Sequence, residues 1–160
     1  MPIHLGLKSY ATLAFCRLGV AGLSPVMPGT CGTLLAVLIA PVLYFPLPFV
    51  GRLIELALLF WLGSVAATSA EKILGKTDPG EVVIDELVGV WLVLLPFADP
   101  NWKQIGAAFV LFRFFDIVKP WPVRASERWL PGGYGVMIDD VVAGLMAMAC
   151  MALVTWLHLW

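Results

Sequence analysis

Long apolar stretches, each closed by a short run of glycine, proline and charge, set the rhythm of this chain. Apolar residues dominate 31–49, 53–70, 82–98, 104–119 and 137–158. The breaks fall at Gly51-Arg52, EKILGKTDPGE, ADPNWK and KPWPVRASERWLPGGYG, connectors of the kind that punctuate helices. The pattern predicts five helices long enough, or nearly so, for the ~30 Å hydrocarbon core of a bilayer. Pro41, Pro46 and Pro48 predict a kinked or shortened first helix. Residues 1–22 are less apolar and read as an amphipathic helix at the membrane surface. The expected fold class is all-α: one membrane-embedded domain over 1–160, an integral bundle of about five apolar helices with an interfacial N-terminal helix.

Composition sharpens this. The chain is 61% hydrophobic and 13% charged, against about 25% charged in soluble proteins, and its mean hydropathy is +0.92. Trp and Phe recur near the ends of the apolar runs, where interfacial aromatic belts lie. A net charge of -1 gives no reason to expect nucleic-acid binding. Cys16, Cys31 and Cys150 form no metal-ligand or redox spacing and read as small buried hydrophobes. The N-terminus does not match a signal peptide, since its basic residues bracket the short apolar piece and no cleavage motif follows.

With five crossings, Lys8, Arg17, Lys72, Lys76, Lys119, Arg124 and Arg128 fall on one side, and only Arg52 and Lys103 on the other. The positive-inside bias then places the N-terminus in the cytoplasm. That topology also gathers the unusual residues on the cytoplasmic side. The first, third and fifth spans open there with PGTCGT, VVIDELVG and VMIDDVVAG, and the fourth ends there with FRFFDIVKPWPVR.

Asp85-Glu86 and Asp139-Asp140 each sit in a frame I-D-[DE]-x-V. Helix N-termini stabilise single acids, but two acidic pairs in one plane repel unless something neutralises them. A hard divalent cation such as Mg²⁺ does so with oxygen ligands. Zinc is disfavoured, because the only histidines are His4 and His158, at opposite chain ends. Arg113, Asp116 and Lys119 are spaced by three and share a helix face, with Arg124 following Pro120. They read either as a structural pair with boundary charges or as a phosphate clamp. In LSPVMPGTCGT, Thr30 or Thr33 caps the next helix, whose N-terminus is a weak anion-site signal. Acids for a cation, bases for a phosphate and a membrane face point to phospholipid headgroup chemistry. No histidine lies near the cluster, no C-x5-R loop opens at a cysteine, and no D-x-D motif is present. Metal-assisted attack by water with a carboxylate base remains.

The blocks GLSPVMPGTCGT (22–33), DPGEVVIDELVGVW (78–91), FVLFRFFDIVKPWPVR (109–124) and GGYGVMIDDVVAG (132–144) resemble, in order, those of the bacterial phosphatidylglycerophosphatase A family. The resemblance implies a helical enzyme of the cytoplasmic membrane, dependent on Mg²⁺, that dephosphorylates phosphatidylglycerol phosphate. It implies functional positions at Thr30, Asp85, Glu86, Arg113, Asp116, Lys119, Arg124, Asp139 and Asp140. The roles assigned here are metal ligation by Asp85, Glu86, Asp139 and Asp140, and phosphate binding by Thr30, Arg113, Lys119 and Arg124. Asp116 or one of the acidic pair is the base. The expected partners are the bilayer and its phospholipid substrate; homo-oligomer formation is left open. The alternatives are a phosphatase acting on another phospholipid phosphate and an ion-coupled transporter, which needs polar groups through the membrane depth. Here the charges keep to one edge.

Overall fold

The computed structural model describes residues 6–157, so His4 and His158 lie outside the described residues. Among these there are seven α-helices, one 3-10 turn at Ala21–Leu23 and no strand. The expected all-α class holds. The helices are α1 (Leu7–Cys16), α2 (Pro28–Leu43), α3 (Phe49–Leu74), α4 (Ile84–Leu94), α5 (Trp102–Val118), α6 (Val123–Ser126) and α7 (Gly133–Trp156).

Local chemistry sets most of the boundaries. Pro28 starts α2, where its missing N–H costs nothing. The helix runs through Pro41 and ends before Pro46 and Pro48, so the first apolar segment is the shortened helix its prolines predict. Helix α3 begins after Pro48 and ends on Gly75 at φ 64, a left-handed cap open to glycine. Asn101 and Gln104 close a reciprocal capping box on α5. Lys119 adopts φ 47 just before Pro120, which stops the same helix.

Among the described residues, only α3 and α7 are both long and apolar enough to cross a membrane alone. The third segment was expected over 82–98, but α4 stops at Leu94, ahead of Pro96, which disfavours helix at the preceding residue. Its 11 residues span about 16 Å, roughly half a hydrocarbon core. In compensation α4 is the centre of the molecule: every residue of it but Leu92 is buried. Trp91 donates from Nε1 to the Ala36 carbonyl of α2 (2.9 Å) and stacks on Tyr44 at 4.8 Å. Close approach needs glycine at the crossing of α4 with α7. A Cβ on Gly144 would lie 2.6 Å from the Gly89 carbonyl oxygen, and one on Gly89 would enter the Phe112 ring of α5.

Contacts among helix ends and connectors define two distinct ends of the bundle. At one, the nearly buried Arg52 ties the connectors together. Its guanidinium donates to the carbonyls of Phe45 (2.7 Å), Leu47 (3.0 Å), Phe97 (2.5 Å) and Ala98 (3.0 Å). At the other meet the starts of α2, α4 and α7 and the end of α5. There α1 is pinned by Val83 N–H on the Cys16 carbonyl (2.8 Å) and by the Arg17–Glu81 pair at 2.5 Å.

Candidate functional site

A cavity of about 390 Å³ opens at this second end. Helix α4 supplies Asp85 and Glu86, α5 supplies Arg113 and Asp116, the α5 cap supplies Lys119, and α7 supplies Asp139 and Asp140. The Gly89–Gly144 crossing brings the first turn of α4 against α7, which is why acids far apart in sequence meet. Asp85 and Glu86 sit in the first turn of α4, as expected. Asp139 and Asp140 were expected at a helix start, yet α7 begins at Gly133, so both lie well past its first turn. Gly133 allows the early start, because a Cβ there would meet the backbone of Ser64 on α3. Helix capping therefore does not account for the second acidic pair.

Within the cavity the acids divide into two groups. One carboxylate oxygen each from Asp85, Glu86 and Asp140 lie within 4.8 Å of one another, and all three residues are buried. Asp139 is turned toward Lys119 instead, 2.5 Å from its Nζ, and Glu127 takes the same ammonium at 2.8 Å. Arg113 stands between Asp116 (2.5 Å) and Glu86 (3.5 Å). Several polar atoms are buried without a hydrogen-bond partner: Glu86 Oε2, Asp139 Oδ1, Asp140 Oδ2 and Arg113 Nε. Buried polar atoms are normally satisfied, so an unpaired set of both signs in one cavity points to a ligand with both signs. Three carboxylates converging without nitrogen or sulfur form a donor set for a hard divalent cation.

Gly29, in the first turn of α2, also lines the cavity, and a Cβ there would collide with Glu86 Oε1 and sit 3.0 Å from Arg113 Nη1. Only glycine lets the start of α2 close over that pair. Thr30 does not line the cavity, although its Oγ1 is buried and unpartnered beside it. Arg124 is exposed and lines a separate groove that shares Lys119 with the cavity.

Nothing in the sequence pattern marks Asp78, which lies in a connector, yet it borders the cavity in a left-handed conformation at φ 46. Its backbone N–H donates to Glu71 (2.9 Å). Desolvation by its surroundings pushes its carboxyl above the ordinary range, with Lys119 pulling it down and Glu127 and Glu71 adding to the rise. The residue is exposed by area, so crowding at the cavity rim, not full burial, causes the effect. In α1, burial first and then Asp85 push the Cys16 thiol up to about 11, with Arg17 opposing.

Residues 14–155 match the family model described as Phosphatidylglycerophosphatase A. A Bacteroides thetaiotaomicron protein named "Putative phosphatidylinositol-3-phosphatase" is 47% identical over 85% of this chain and 88% of its own length. Proteins named Phosphatidylglycerophosphatase A from Escherichia coli and Haemophilus influenzae are 38% and 40% identical, over 79% and 91% of this chain and 73% and 84% of theirs. No solved structure matches the chain. With the family model spanning all four sequence blocks and every acid and base of the cavity, the chain belongs to the phosphatidylglycerophosphatase A family.

Proposed function

We propose that the chain is a Mg²⁺-dependent lipid phosphatase that converts phosphatidylglycerol phosphate to phosphatidylglycerol and phosphate at the cytoplasmic face of a bacterial membrane. The observation that carries this is the cavity: three carboxylate oxygens within 4.8 Å of one another, beside a guanidinium. The family model and the two relatives named for this activity support the substrate.

Asp85, Glu86 and Asp140 would hold the cation, and Glu86 Oε2 and Asp140 Oδ2 are unpartnered atoms that it would satisfy. When bound, it supplies charge neutralisation and polarisation of a phosphoryl oxygen. The chain's own residues do the rest. Arg113, with Nε unpartnered, takes the reacting phosphate. Lys119, held between Asp139 and Glu127, lends its charge at the mouth. Gly29 and Thr30 present first-turn N–H groups of α2, which have no partner within the helix. Asp116, oriented by Arg113, accepts a proton from the attacking water. The water oxygen bonds to phosphorus as the bond to the glycerol oxygen breaks. The proton held by Asp116 then passes to that oxygen, leaving an alcohol and inorganic phosphate.

The bilayer enters through the surface. Large apolar side chains such as Leu38, Leu58, Trp61, Val110, Phe114 and Leu153 are exposed along the helices, a belt that water would disfavour and acyl chains would cover. In our reading α2, α3, α4, α5 and α7 traverse the membrane. Helix α4 can be short because its neighbours, not lipid, surround it. Basic residues cluster at the cavity end, which supports a cytoplasmic setting for that end.

The test is phosphate release by purified protein from phosphatidylglycerol phosphate, with Mg²⁺ or with chelator, for wild type and Asp140→Asn. Release needing both Mg²⁺ and Asp140 is expected; equal release by the variant would remove Asp140 from the site. The 47%-identical relative motivates a second substrate arm, a phosphoinositide phosphorylated at position 3.

A further inference from the structure

A second groove, of about 460 Å³, lies beside the acidic cavity at the end of α5. It is lined by Val118, Lys119, Trp121, Arg124 and Arg128 among others, and Lys119 belongs to both depressions. Its electrostatics are the reverse of its neighbour's. Arg17, Arg113 and Lys119 each face a carboxylate, and Arg52 is saturated by carbonyls. The guanidinium groups of Arg124 and Arg128 are exposed and have no hydrogen bond or ion pair among the described residues. Trp121 is 82% exposed on the same rim, and Val118 is half exposed. An exposed Trp with arginines at the end of an apolar helix belongs at headgroup depth, with acyl chains on one side and water on the other.

We infer that this groove is a second phosphate subsite, which takes the non-reacting phosphodiester of the substrate lipid while the acidic cavity takes its phosphomonoester. The inference rests on the lipid-phosphatase reading above. The acidic cavity is poorly suited to both groups. Six carboxylates line it, from Asp78, Asp85, Glu86, Asp116, Asp139 and Asp140, and its two basic groups both face carboxylates, leaving Arg113 Nε for the reacting phosphate. A second anion there would meet like charge, whereas next door two guanidinium forks lack a partner.

The chemistry of the lipids fits the same division. Phosphatidylglycerol phosphate carries its diester and monoester on the two end carbons of one glycerol. A phosphoinositide phosphorylated at position 3 carries them on ring carbons 1 and 3. In both, three carbons separate the two phosphate groups. A protein that reads the diester and not the alcohol between would serve either lipid, and relatives of this chain bear names for each. Phosphatidic acid, with a monoester and no diester, would fill only the acidic cavity.

Steady-state kinetics in mixed micelles of Arg124→Gln, Arg128→Gln and the double variant test this. Phosphatidylglycerol phosphate is the substrate, with phosphatidic acid as alternative substrate or competitive inhibitor. We expect KM for phosphatidylglycerol phosphate to rise about tenfold in the double variant, as for loss of a charge-assisted contact. The turnover number should hold, and KM or Ki for phosphatidic acid should stay within twofold. Arg124→Lys should recover only part of the loss. An unchanged KM overturns the subsite, and so does an equal rise for both lipids, which would make the arginines general anchors to anionic surface. Wild type that releases phosphate from no lipid phosphate would overturn the enzymatic reading itself, a result distinguishable from either.

Discussion

Removing one acid from the cavity should make the metal-free protein more stable and blind to Mg²⁺. Oxygens of Asp85, Glu86 and Asp140 lie within 4.8 Å of one another. At that spacing two ionised carboxylates repel by about 3.5 kcal/mol at an effective dielectric near 20. Arg113, 3.5 Å from Glu86, offsets part of this, but it already serves Asp116. Asp140→Asn removes one of three crowded acids, so after that offset we expect a net gain of about 1–3 kcal/mol. For a domain of this size that corresponds to a rise in Tm of roughly 2–12 °C in chelator. Wild type has the larger response to cation: Mg²⁺ at a hundred times its Kd adds about 2.7 kcal/mol. The assay is thermal unfolding of detergent-purified protein, followed by tryptophan fluorescence with chelator and with millimolar Mg²⁺. The variant should melt higher than wild type in chelator and shift little on addition of metal. A variant that melts lower in chelator, while Mg²⁺ raises both proteins equally, would refute the shared cation site.

Other substitutions probe how the fold delivers the site. Gly29→Ala should abolish most Mg²⁺-dependent phosphate release while the far end of the bundle stays intact, because its Cβ collides with Glu86 Oε1; proteolysis of the far connectors with unchanged kinetics would check the second half. Gly89→Ala should lower Tm in chelator by an amount equivalent to about 1–3 kcal/mol, since Phe112 and the Asp140 carbonyl leave no room for a methyl group. Arg52→Met should cost about 3 kcal/mol or more by chemical or thermal unfolding, because buried carbonyls of two connectors lose their donors together. The Cys16 thiol, fully buried and pushed up to about 11, should resist maleimide at neutral pH in folded protein, while half-buried Cys31 is labelled first; mass spectrometry of the modified peptides reads the order.

Much of the bundle was legible because its signals are local. Apolar runs gave the helices, proline and glycine gave their ends, and alternation of direction put three charged segments and the uncharged PGTCGT turn at one end. The acids of α4 and α7 were visible as unusual for the same reason: each interrupts a greasy run. What the pattern could not supply is rotation and depth. Whether Asp139 or its neighbour faces Asp85 depends on where α7 begins, and Gly133 begins it before the point suggested by hydropathy. The structure therefore gathers Asp140 with Asp85 and Glu86, and leaves Asp139 with Lys119. Arg124 sits four residues beyond Pro120, too far past the helix for spacing to fix its direction, and it lies in the neighbouring groove. Asp78 was hidden because a polar residue in a connector is ordinary; only the fold brings that connector to the cavity rim.

The brevity of α4 connects these features to the membrane. On the membrane reading proposed above, apolar side chains gain nothing by leaving hydrocarbon for one another, so helices associate through close packing of small residues and through polar contacts. Gly89 and Gly144 supply the first, by letting the backbones of α4 and α7 nearly touch. The same contact fixes the height of Asp85 and Glu86 relative to Asp140, so the device that holds the bundle also sets the spacing of the acids. A long α4 would have no need of such an anchor, since its ends would find the two interfaces unaided. A short one can slide, and here its other end is held by Arg52, which grips Phe97 and Ala98 just after α4 together with Phe45 and Leu47 before α3. Loss of Arg52 should thus act at a distance. Beyond its cost in stability, a milder variant such as Arg52→Lys should weaken Mg²⁺ stabilisation of the folded protein, even though it touches no residue of the cavity. If Arg52→Lys lowers Tm equally with and without Mg²⁺, the far end is only a clamp, and the depth of α4 is set by its glycines alone.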